Sequence, residues 1–428
     1  AEEPVEVTPE SALQSYLHNG DENYKWVIKD TLTIEGVTAY DILLTSQKWR
    51  EHVWNHQLTI FIPGEIEYKG ALLFITGGSV KDDMPNWSSK VDGIIKRFAL
   101  MAKKNKAITA IIRQTPKQPL YDGLVEDQLI SFTLHNFKKD KDYTWPLLFP
   151  MVKSAVRSMD AIQEFSQKNL NKEIKRFTIA GASKRGWTTW LTGANDQRVE
   201  AIGPMVIDVL NMPVSLDYHI EAWNEYSPQI EDYTKLEIPQ QVRTNDGDAI
   251  TTMVDPYSYR KSLTMPKMIF IGTNDEYWPV DAIKNYIDSI PGENFIHYVP
   301  NAGHNLAGGE QALKALSAFW EHTLDKTPYP KLNYNITSND DSATLTVTAS
   351  PDELNNVFVW TANSDDRDFR DDKWSSKTIK KGKEIIYDIK YPQSGFKAFY
   401  IDLEYKDPNG GKYTKSTRMY VVDEDEVL

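Results

Sequence analysis

The stretch Gly-Ala-Ser-Lys-Arg-Gly-Trp at residues 181–187 directs the fold prediction, because it lies between an apolar run and a helix-like segment. The run Phe-Thr-Ile-Ala at residues 177–180 is typical of a buried strand, and the helical pattern continues to Leu191. A serine on a sharp strand-to-helix turn exposes its hydroxyl, and the helix N-terminus offers backbone N–H groups to an oxyanion. We therefore predict that Ser183 is a nucleophile in an α/β fold.

This stretch departs from the usual nucleophile turn at one position. The usual pattern has glycine two residues after the serine, where this chain has Arg185, and here the glycine follows one residue later at Gly186. The small residues Gly181 and Ala182 still allow the close backbone approach that a tight turn needs. An ordinary strand-to-helix turn is the alternative interpretation of this stretch taken alone.

Two later segments supply the partners of such a serine, in the chain order serine, acid, histidine. A strand-like run at residues 268–272 ends just before Asp275, and another at residues 295–299 ends just before His304. Open parallel sheets build their sites at the carboxyl ends of strands, so both side chains are expected at that edge. Asp275 would orient the imidazole of His304, which would take the proton of Ser183. The alternative is an N-capping serine, an aspartate turn and a surface histidine.

Further site residues follow from this mechanism. The N–H groups of Lys184, next after the nucleophile, and of Gly78, in a glycine-rich loop after an early strand, are the predicted oxyanion donors. Arg185 and Lys184 place positive charge beside the nucleophile, where they would hold a substrate carboxylate or only solvate the helix. The adjacent acids Glu126 and Asp127 would bind a cationic group such as a peptide α-amine, or would only be solvated.

Composition limits the class of protein. The chain has 428 residues, a formal net charge of −13 and no cysteine. The length favours two or three domains, and the negative charge argues against nucleic acid or anionic membranes as partners. Without cysteine there is no disulfide framework, thiol catalysis or thiolate metal site. No apolar run approaches the ~20 residues that a membrane span needs.

Localisation and ligands are predicted from weaker signals. The chain opens with Ala-Glu-Glu-Pro and no initiator methionine, as a mature chain would after removal of a leader, although a truncated chain would look the same. The 12 Trp and 22 Tyr and the acidic composition suit an exported protein, so we expect a secreted or periplasmic one. The eight histidines are scattered, and His52 and His56 at helical spacing lie outside any clear helix, so no metal site is predicted. No nucleotide-binding fingerprint is complete, so we expect no cofactor and a small-molecule or peptide substrate.

The spacing of apolar runs along the chain predicts two domains. From residue 70, strand-like and helix-like runs alternate, which indicates a mostly parallel sheet flanked by helices. Together with the serine turn and the order of its partners, this pattern predicts an α/β-hydrolase domain over residues 1–326. Long stretches near residues 114–146 and 208–264 interrupt this alternation of strands and helices. They are predicted as inserted loops, which are commonly lids or binding loops. Decorative surface insertions are the alternative. Short alternating runs at residues 327–428 predict a C-terminal immunoglobulin-like β-sandwich domain.

With these residues in view, the chain resembles the PhoPQ-activated pathogenicity-related protein family of α/β-hydrolases. The resemblance implies a Ser-Asp-His arrangement on Ser183, Asp275 and His304, export, and a likeness to serine exopeptidases and acyl hydrolases. It implies little about the substrate, because a fold does not define one. The segments that carry the resemblance are residues 181–190, Gly-Thr-Asn-Asp-Glu-Tyr-Trp at 272–278, Pro-Asn-Ala-Gly-His-Asn at 300–305, Gln-Pro-Leu at 118–120 and Glu-Asp-Gln-Leu-Ile at 126–130.

Two functions from different classes are consistent with these features. The first is an exported serine hydrolase that cleaves an ester or peptide bond through an acyl-enzyme. The second is a catalytically silent signalling or adhesion protein on an α/β-hydrolase scaffold, whose partner surface is the β-sandwich or the aromatic loops. The bulky Arg185 in place of glycine and the additional domain are the features that support the second function.

Overall fold

The computed structural model describes residues 5–88, 93–350 and 354–428, and the chain divides into two compact units. The first unit comprises Ala1–Ile207, Asn211–Pro213 and Ile230–Met265, and the second comprises Asp208–Leu210, Val214–Gln229 and Pro266–Leu428. Within the described ranges, no helix combines the length and the apolar character needed to cross a membrane. The α-helices in these ranges are α1 Ala12–Leu17, α2 Gly93–Asn105, α3 Glu126–Asp140, α4 Leu148–Leu170, α5 Lys184–Asn195, α6 Met212–Trp223, α7 Glu231–Thr234, α8 Asn245–Val254 and α9 Glu310–Asp325.

The first unit is built on a mixed sheet whose strands lie in the order β1-β2-β3-β7-β4-β8-β9. The strands β1, β2, β3 and β7 pair antiparallel, and β7, β4, β8 and β9 pair parallel. Every residue of β4 and β7 is buried, as in strands covered on both faces, and α5 packs on β8 and β9. The strands of this unit are β1 Lys25–Ile34, β2 Val37–Trp49, β3 His52–Ile62, β4 Gly70–Ile75, β5 Val80–Lys81, β6 Met84–Pro85, β7 Ile108–Ile112, β8 Arg176–Ala182 and β9 Val199–Met205.

This sheet confirms the predicted α/β class and places two predicted site segments at one edge. In the parallel pair β4 and β8, Ile75 lies opposite Gly181. The loop after β4, which contains Gly78, therefore begins beside the turn after β8, which contains Ser183. Both segments follow the carboxyl ends of neighbouring parallel strands, where folds of this class build their sites.

The second unit combines two parallel strands with an antiparallel C-terminal region. β10 pairs parallel with β11, and antiparallel pairing continues from β11 through β18, β17, β14 and β15, with β19 also paired to β17. A separate sheet has the order β12-β13-β16. The strands of this unit are β10 Lys267–Gly272, β11 Asn294–Val299, β12 Leu332–Ser338, β13 Ser342–Ala349, β14 Leu354–Ser364, β15 Ser375–Ile379, β16 Glu384–Lys390, β17 Phe396–Lys406, β18 Lys412–Ser416 and β19 Tyr420–Val422.

The short strands that the alternating runs predict for residues 327–428 are present, as β12 to β19. One of their two sheets continues from β11, through the pairing of Ile296 with Ser416. The predicted domain boundary after residue 326 therefore lies inside the second unit, and a closed immunoglobulin-like sandwich stays a prediction. Alternation identifies a strand because it reports a half-buried face, but it does not report the neighbouring strand.

The two stretches predicted as inserted loops contain helices. α3 lies within residues 114–146, and α6, α7 and α8 lie within residues 208–264. On α3 the buried face includes the polar residues Ser131 and Thr133, so the apolar stripe that signals a helix is diluted. The helices therefore lie inside the predicted insertions, and the role of these insertions as lids or binding loops stays a prediction.

Candidate functional site

Ser183 occupies a strained turn between β8 and α5. Its φ of 58° and ψ of −125° lie outside the regions that non-glycine residues ordinarily adopt, and such strain concentrates at functional sites. The N–H of Ser183 donates to the carbonyl of Met205 at 2.8 Å, and its carbonyl accepts from the N–H of Trp187 at 2.9 Å. Neighbouring strand and helix therefore fix the backbone on both sides of the predicted nucleophile.

Two glycines make this turn sterically feasible. A Cβ on Gly181 would lie 2.7 Å from the carbonyl oxygen of Arg185, and a Cβ on Gly186 would lie 2.6 Å from that of Met205. Both distances are too short for real Cβ atoms, so both positions require glycine. The close approach of α5 to β9 is made at Gly186, which explains how Arg185 can occupy the position where the usual pattern has glycine.

The two predicted oxyanion donors belong to the same unit as Ser183. Lys184 is the first residue of α5, so its N–H has no acceptor within the helix. Gly78 has a φ of 132°, where an L side chain would be strained, and a Cβ there would lie 3.0 Å from Nε2 of Gln114. The side-chain amide of Gln118 donates to the carbonyl of Gly78 at 3.2 Å and holds the loop. A donor role for the two N–H groups stays a prediction.

The charged residues predicted to bind substrate instead bind one another. Nζ of Lys184 lies 2.8 Å from one carboxylate oxygen of Glu126, and Nη2 of Arg185 lies 2.9 Å from the other. Lys184 also lies 3.6 Å from Asp127, and Nε of Arg185 donates to the carbonyl of Thr115 at 2.8 Å. We call Glu126, Asp127, Lys184 and Arg185 the charge cluster; its side chains are engaged within the protein.

The charge cluster also shapes the loop after β4. The guanidinium of Arg185 lies against Gly77, where a Cβ would collide with it. Burial alone would raise the pKa of Glu126, but the charges of Arg185 and Lys184 outweigh burial and lower this pKa to about 2. Glu126 is therefore ionised at neutral pH, and Arg185 connects it to the loop after β4. The sequence contained no signal for this connection, because residues 77, 126 and 185 are distant in the chain.

In the second unit, the loops after β10 and β11 bring Asp275 and His304 together. Oδ2 of Asp275 accepts a hydrogen bond from Nδ1 of His304 at 2.8 Å. Burial raises the pKa of Asp275, and the hydrogen bond from His304 opposes that rise. Because a carboxylate accepts at Nδ1, this contact makes Nε2 the basic nitrogen of the neutral imidazole.

Two residues that follow Asp275 also hold His304. Oε2 of Glu276 accepts the backbone N–H of His304 at 2.9 Å. The ring of Tyr277 stacks on the imidazole with 3.9 Å between ring centroids, and the N–H of Tyr277 donates to Asp275 at 2.8 Å. The sequence assigned no role to Glu276 or Tyr277. Their adjacency to the predicted acid was the only available signal, since their contact with His304 follows from the pairing of β10 with β11.

The predicted site residues thus form two groups, each within one compact unit. The first unit contains Gly78, Glu126, Asp127, Ser183, Lys184 and Arg185, and the second contains Asp275 and His304.

The described residues contain no group of three or more His, Asp or Glu side chains arranged to hold a metal ion. His56 is buried in β3, where both ring nitrogens bond to protein groups at 2.8 Å.

Comparison with known proteins identifies a family and a relative that match most of the chain. A sequence profile described as PhoPQ-activated pathogenicity-related protein matches residues 13–370. The chain is 30% identical over 430 residues to autocrine proliferation repressor protein A of Dictyostelium discoideum. This match covers 92% of this chain and 85% of that protein.

Two solved structures with a similar fold are acetyl xylan esterases. Acetyl xylan esterase 1 from a Thermoanaerobacterium species has a TM-score of 0.50 at 15% identity, over 74% of this chain and 94% of that chain. An acetyl xylan esterase from a Paenibacillus species has a TM-score of 0.50 at 12% identity, over 74% of this chain and 95% of that chain. At these identities the likeness shows the α/β-hydrolase fold and not a shared substrate.

Proposed function

Because the chain belongs to the PhoPQ-activated pathogenicity-related protein family, we propose that it is a serine hydrolase with Ser183 as nucleophile, His304 as base and Asp275 as the acid that orients it. The backbone of Ser183 carries this proposal. Holding a non-glycine residue at φ 58° and ψ −125° costs on the order of 1–3 kcal/mol of backbone strain. A serine that only caps a helix does not require this conformation. The Asp275–His304 hydrogen bond supplies the matching base.

The proposed reaction proceeds through an acyl-enzyme. Oγ of Ser183 attacks the acyl carbonyl carbon while its proton passes to Nε2 of His304, and Asp275 stabilises the resulting imidazolium. The oxyanion accepts hydrogen bonds from the N–H groups of Lys184 and Gly78. The leaving group takes the proton from His304 and departs. A water molecule then gives a proton to His304 and attacks the acyl carbon. As the bond between this carbon and Oγ breaks, His304 returns the proton to Oγ, which releases the carboxylic acid and restores Ser183.

An ester is the favoured substrate over a peptide with a free N-terminus. The acids predicted to anchor a peptide α-amine, Glu126 and Asp127, are engaged by Lys184 and Arg185. A substrate amine would have to displace these cations and leave two part-buried charges without their partner. Neutral acyl esters avoid this cost.

Active-site labelling with a fluorophosphonate probe tests the proposal. We expect an adduct on wild-type Ser183, located by mass spectrometry, and no adduct in Ser183→Ala. The matched control is Ser375→Ala, since Ser375 is an exposed serine of the second unit. Folded wild-type chain that never reacts with the probe would overturn the proposed function.

A catalytically silent signalling protein is the second candidate, and the name of the Dictyostelium relative, autocrine proliferation repressor protein A, favours it. Purified wild type and Ser183→Ala are added to proliferating Dictyostelium cells. A repression of growth that both proteins produce equally would support signalling without catalysis. Repression by the wild type alone would tie the effect to Ser183.

We also propose that the protein acts outside the cytoplasm. The support is compositional: 12 Trp and 22 Tyr together with a net charge of −13 suit an exported acidic protein. Fractionation of cells that express the native gene would place the protein in the periplasm or the medium. Recovery only in the cytoplasmic fraction would contradict this localisation.

A further inference from the structure

The loop between β14 and β15, residues 365–374, contacts both loops that carry the Asp275–His304 pair. We call it the clamp loop. It belongs to the C-terminal β region, and the clamp loop and the pair are both in the second unit. Its contacts are made by two asparagines, Asn274 and Asn301, which lie close in sequence to the two members of the pair.

Asn274, the residue before Asp275, binds the clamp loop through its side-chain amide. Nδ2 of Asn274 lies 2.7 Å from the carbonyl oxygen of Asp372 and 3.2 Å from those of Phe369 and Arg370. Three backbone carbonyls therefore converge on one amide nitrogen. A side chain without N–H donors at this position would leave those carbonyls without this partner.

Asn301, three residues before His304, binds the clamp loop reciprocally. Its Nδ2 donates to the carbonyl of Trp374 at 3.1 Å, and its Oδ1 accepts the N–H of Trp374 at 2.8 Å. The side chain of Trp374 is buried, so the end of the clamp loop is anchored by packing as well. The loop that carries His304 is thus joined to the C-terminal region by a pair of hydrogen bonds.

The hydroxyl of Thr273 connects the two asparagines. The backbone N–H of Asn301 donates to Oγ1 of Thr273 at 2.8 Å, and this hydroxyl donates to Oδ1 of Asn274 at 2.8 Å. Because Oδ1 of Asn274 receives this bond, its Nδ2 is directed to the carbonyls of the clamp loop. Thr273 is buried, so the connection runs through the protein interior.

The two loops of the pair also contact each other directly. The backbone N–H of Asn274 donates to the carbonyl of Ala302 at 2.9 Å. A Cβ on Gly272 would collide with the carbonyl oxygens of Ala302 and Gly303, so the loops pack as closely as backbones allow. A displacement of the clamp loop would therefore move both loops, because close packing leaves no free space to absorb it.

The clamp loop also contacts the residues around α6 within the second unit. The guanidinium of Arg370 lies 3.8 Å from the ring centroid of Trp223, and Nη2 of Arg367 donates to the hydroxyl of Tyr218 at 2.9 Å. The same hydroxyl donates to Asp281 at 2.7 Å. The clamp loop is therefore held from two sides, which makes it a fixed support rather than a mobile strap.

We propose that the clamp loop is a positioning element that keeps Asp275 and His304 at hydrogen-bond distance, acting through Asn274 and Asn301. The C-terminal β region thereby contributes to catalysis without contacting the substrate. The inference rests on the proposed function, since it assigns a purpose to the geometry of the same pair. A misplacement of catalytic groups by about 1 Å costs on the order of 100-fold in rate.

The test compares Asn274→Asp with Asn335→Asp in the full chain. Asn274→Asp preserves the size of the side chain but replaces its donor by an acceptor that faces three carbonyls. Asn335 is exposed on β12, in the sheet that does not contain β14 and β15, so Asn335→Asp makes the same charge change away from the clamp loop. With p-nitrophenyl acetate as the probe, we expect kcat to fall about 10- to 100-fold with KM little changed in Asn274→Asp. The control should match the wild type.

The proton on Nδ1 of His304 gives a second readout that a merely structural role would not move. In chains labelled with ¹⁵N-histidine, we expect its NMR resonance to shift or broaden in Asn274→Asp and in Asn301→Ala, and to stay in place in Asn335→Asp. A wild-type kcat together with an unchanged resonance in both clamp variants would overturn the inference. If Asn274→Asp fails to fold, Asn301→Ala gives the same decision.

These readouts separate the inference from the proposed function. If the wild type neither reacts with the fluorophosphonate nor hydrolyses the ester, the proposed function fails, and the NMR comparison still decides the positioning role. If the wild type is active and the clamp variants are indistinguishable from it, the positioning role fails and the proposed function stands.

Discussion

The turn at Ser183 and the pair Asp275–His304 are held by different kinds of contact. At Ser183, the contacts come from the adjoining helix and the neighbouring strand β9, and the turn depends on the glycines at 181 and 186. At the pair, Asn274 bonds to carbonyls that lie 95 to 98 residues away in the chain. The turn at Ser183 is therefore encoded by nearby segments, whereas the loop that carries Asp275 is bonded to the C-terminal region.

Loss of the acid should have the largest effect. Asp275→Asn retains the size of the side chain but lets His304 adopt the wrong tautomer, so kcat should fall by about 10⁴-fold. The measurement is steady-state hydrolysis of p-nitrophenyl acetate, with circular dichroism to establish that the variant is folded. An Asp275→Asn variant with near wild-type kcat would show that this carboxylate does not orient the base.

Gly186→Ala should destabilise the turn that carries Ser183. Its Cβ would lie 2.6 Å from the carbonyl of Met205, so α5 must move away from β9 and the free energy of unfolding should fall by about 1–3 kcal/mol. Urea denaturation measures this loss, and fluorophosphonate labelling of Ser183 should slow in parallel. Gly64→Ala is the control, because a Cβ there meets nothing within 4 Å and should leave stability nearly unchanged.

Tyr277→Ala should remove one of the contacts that hold His304. Aromatic stacking contributes about 0.5–1.5 kcal/mol, so removal of the ring from His304 should lower kcat by about 2- to 10-fold. Tyr277→Phe keeps the ring and should retain the wild-type rate, which separates stacking from any effect of the hydroxyl. Equal rates for the two variants would show that the stack does not position His304.

The smallest effect is expected from the charge cluster, as a dependence of stability on pH. The cations beside Glu126 lower its folded-state pKa to about 2, below its unfolded value. Its contribution to stability is therefore present above the unfolded pKa and is lost as pH falls through the folded pKa. Because the carboxylate is 39% exposed, we expect no more than about 1 kcal/mol between the wild type and Glu126→Gln at neutral pH. Chemical denaturation at several pH values should show this difference vanish towards pH 2; a constant difference would contradict the lowered pKa.

The sequence was most informative where a short segment defines its own geometry. The strand, the serine and the helix around Ser183 form a local turn, so spacing alone predicted it and the loops that carry Asp275 and His304. It was least informative at the charge cluster, where Glu126 and Asp127 were expected to bind substrate. Their partners Lys184 and Arg185 lie on another helix, and no periodicity within one segment reports that contact.

The amino-acid sequence by itself determined the α/β class, the family and the order of the candidate triad residues, because strand periodicity, turn chemistry and short motifs are properties of neighbouring residues. Only the tertiary structure decided that the charge cluster is engaged internally, that Glu276 and Tyr277 hold His304, and that the clamp loop joins the loops of the pair. These features depend on which strands pair and which loops meet. Such long-range choices are made by the packing of the whole chain, because hydrogen-bonding groups that leave water must find partners wherever the fold places them.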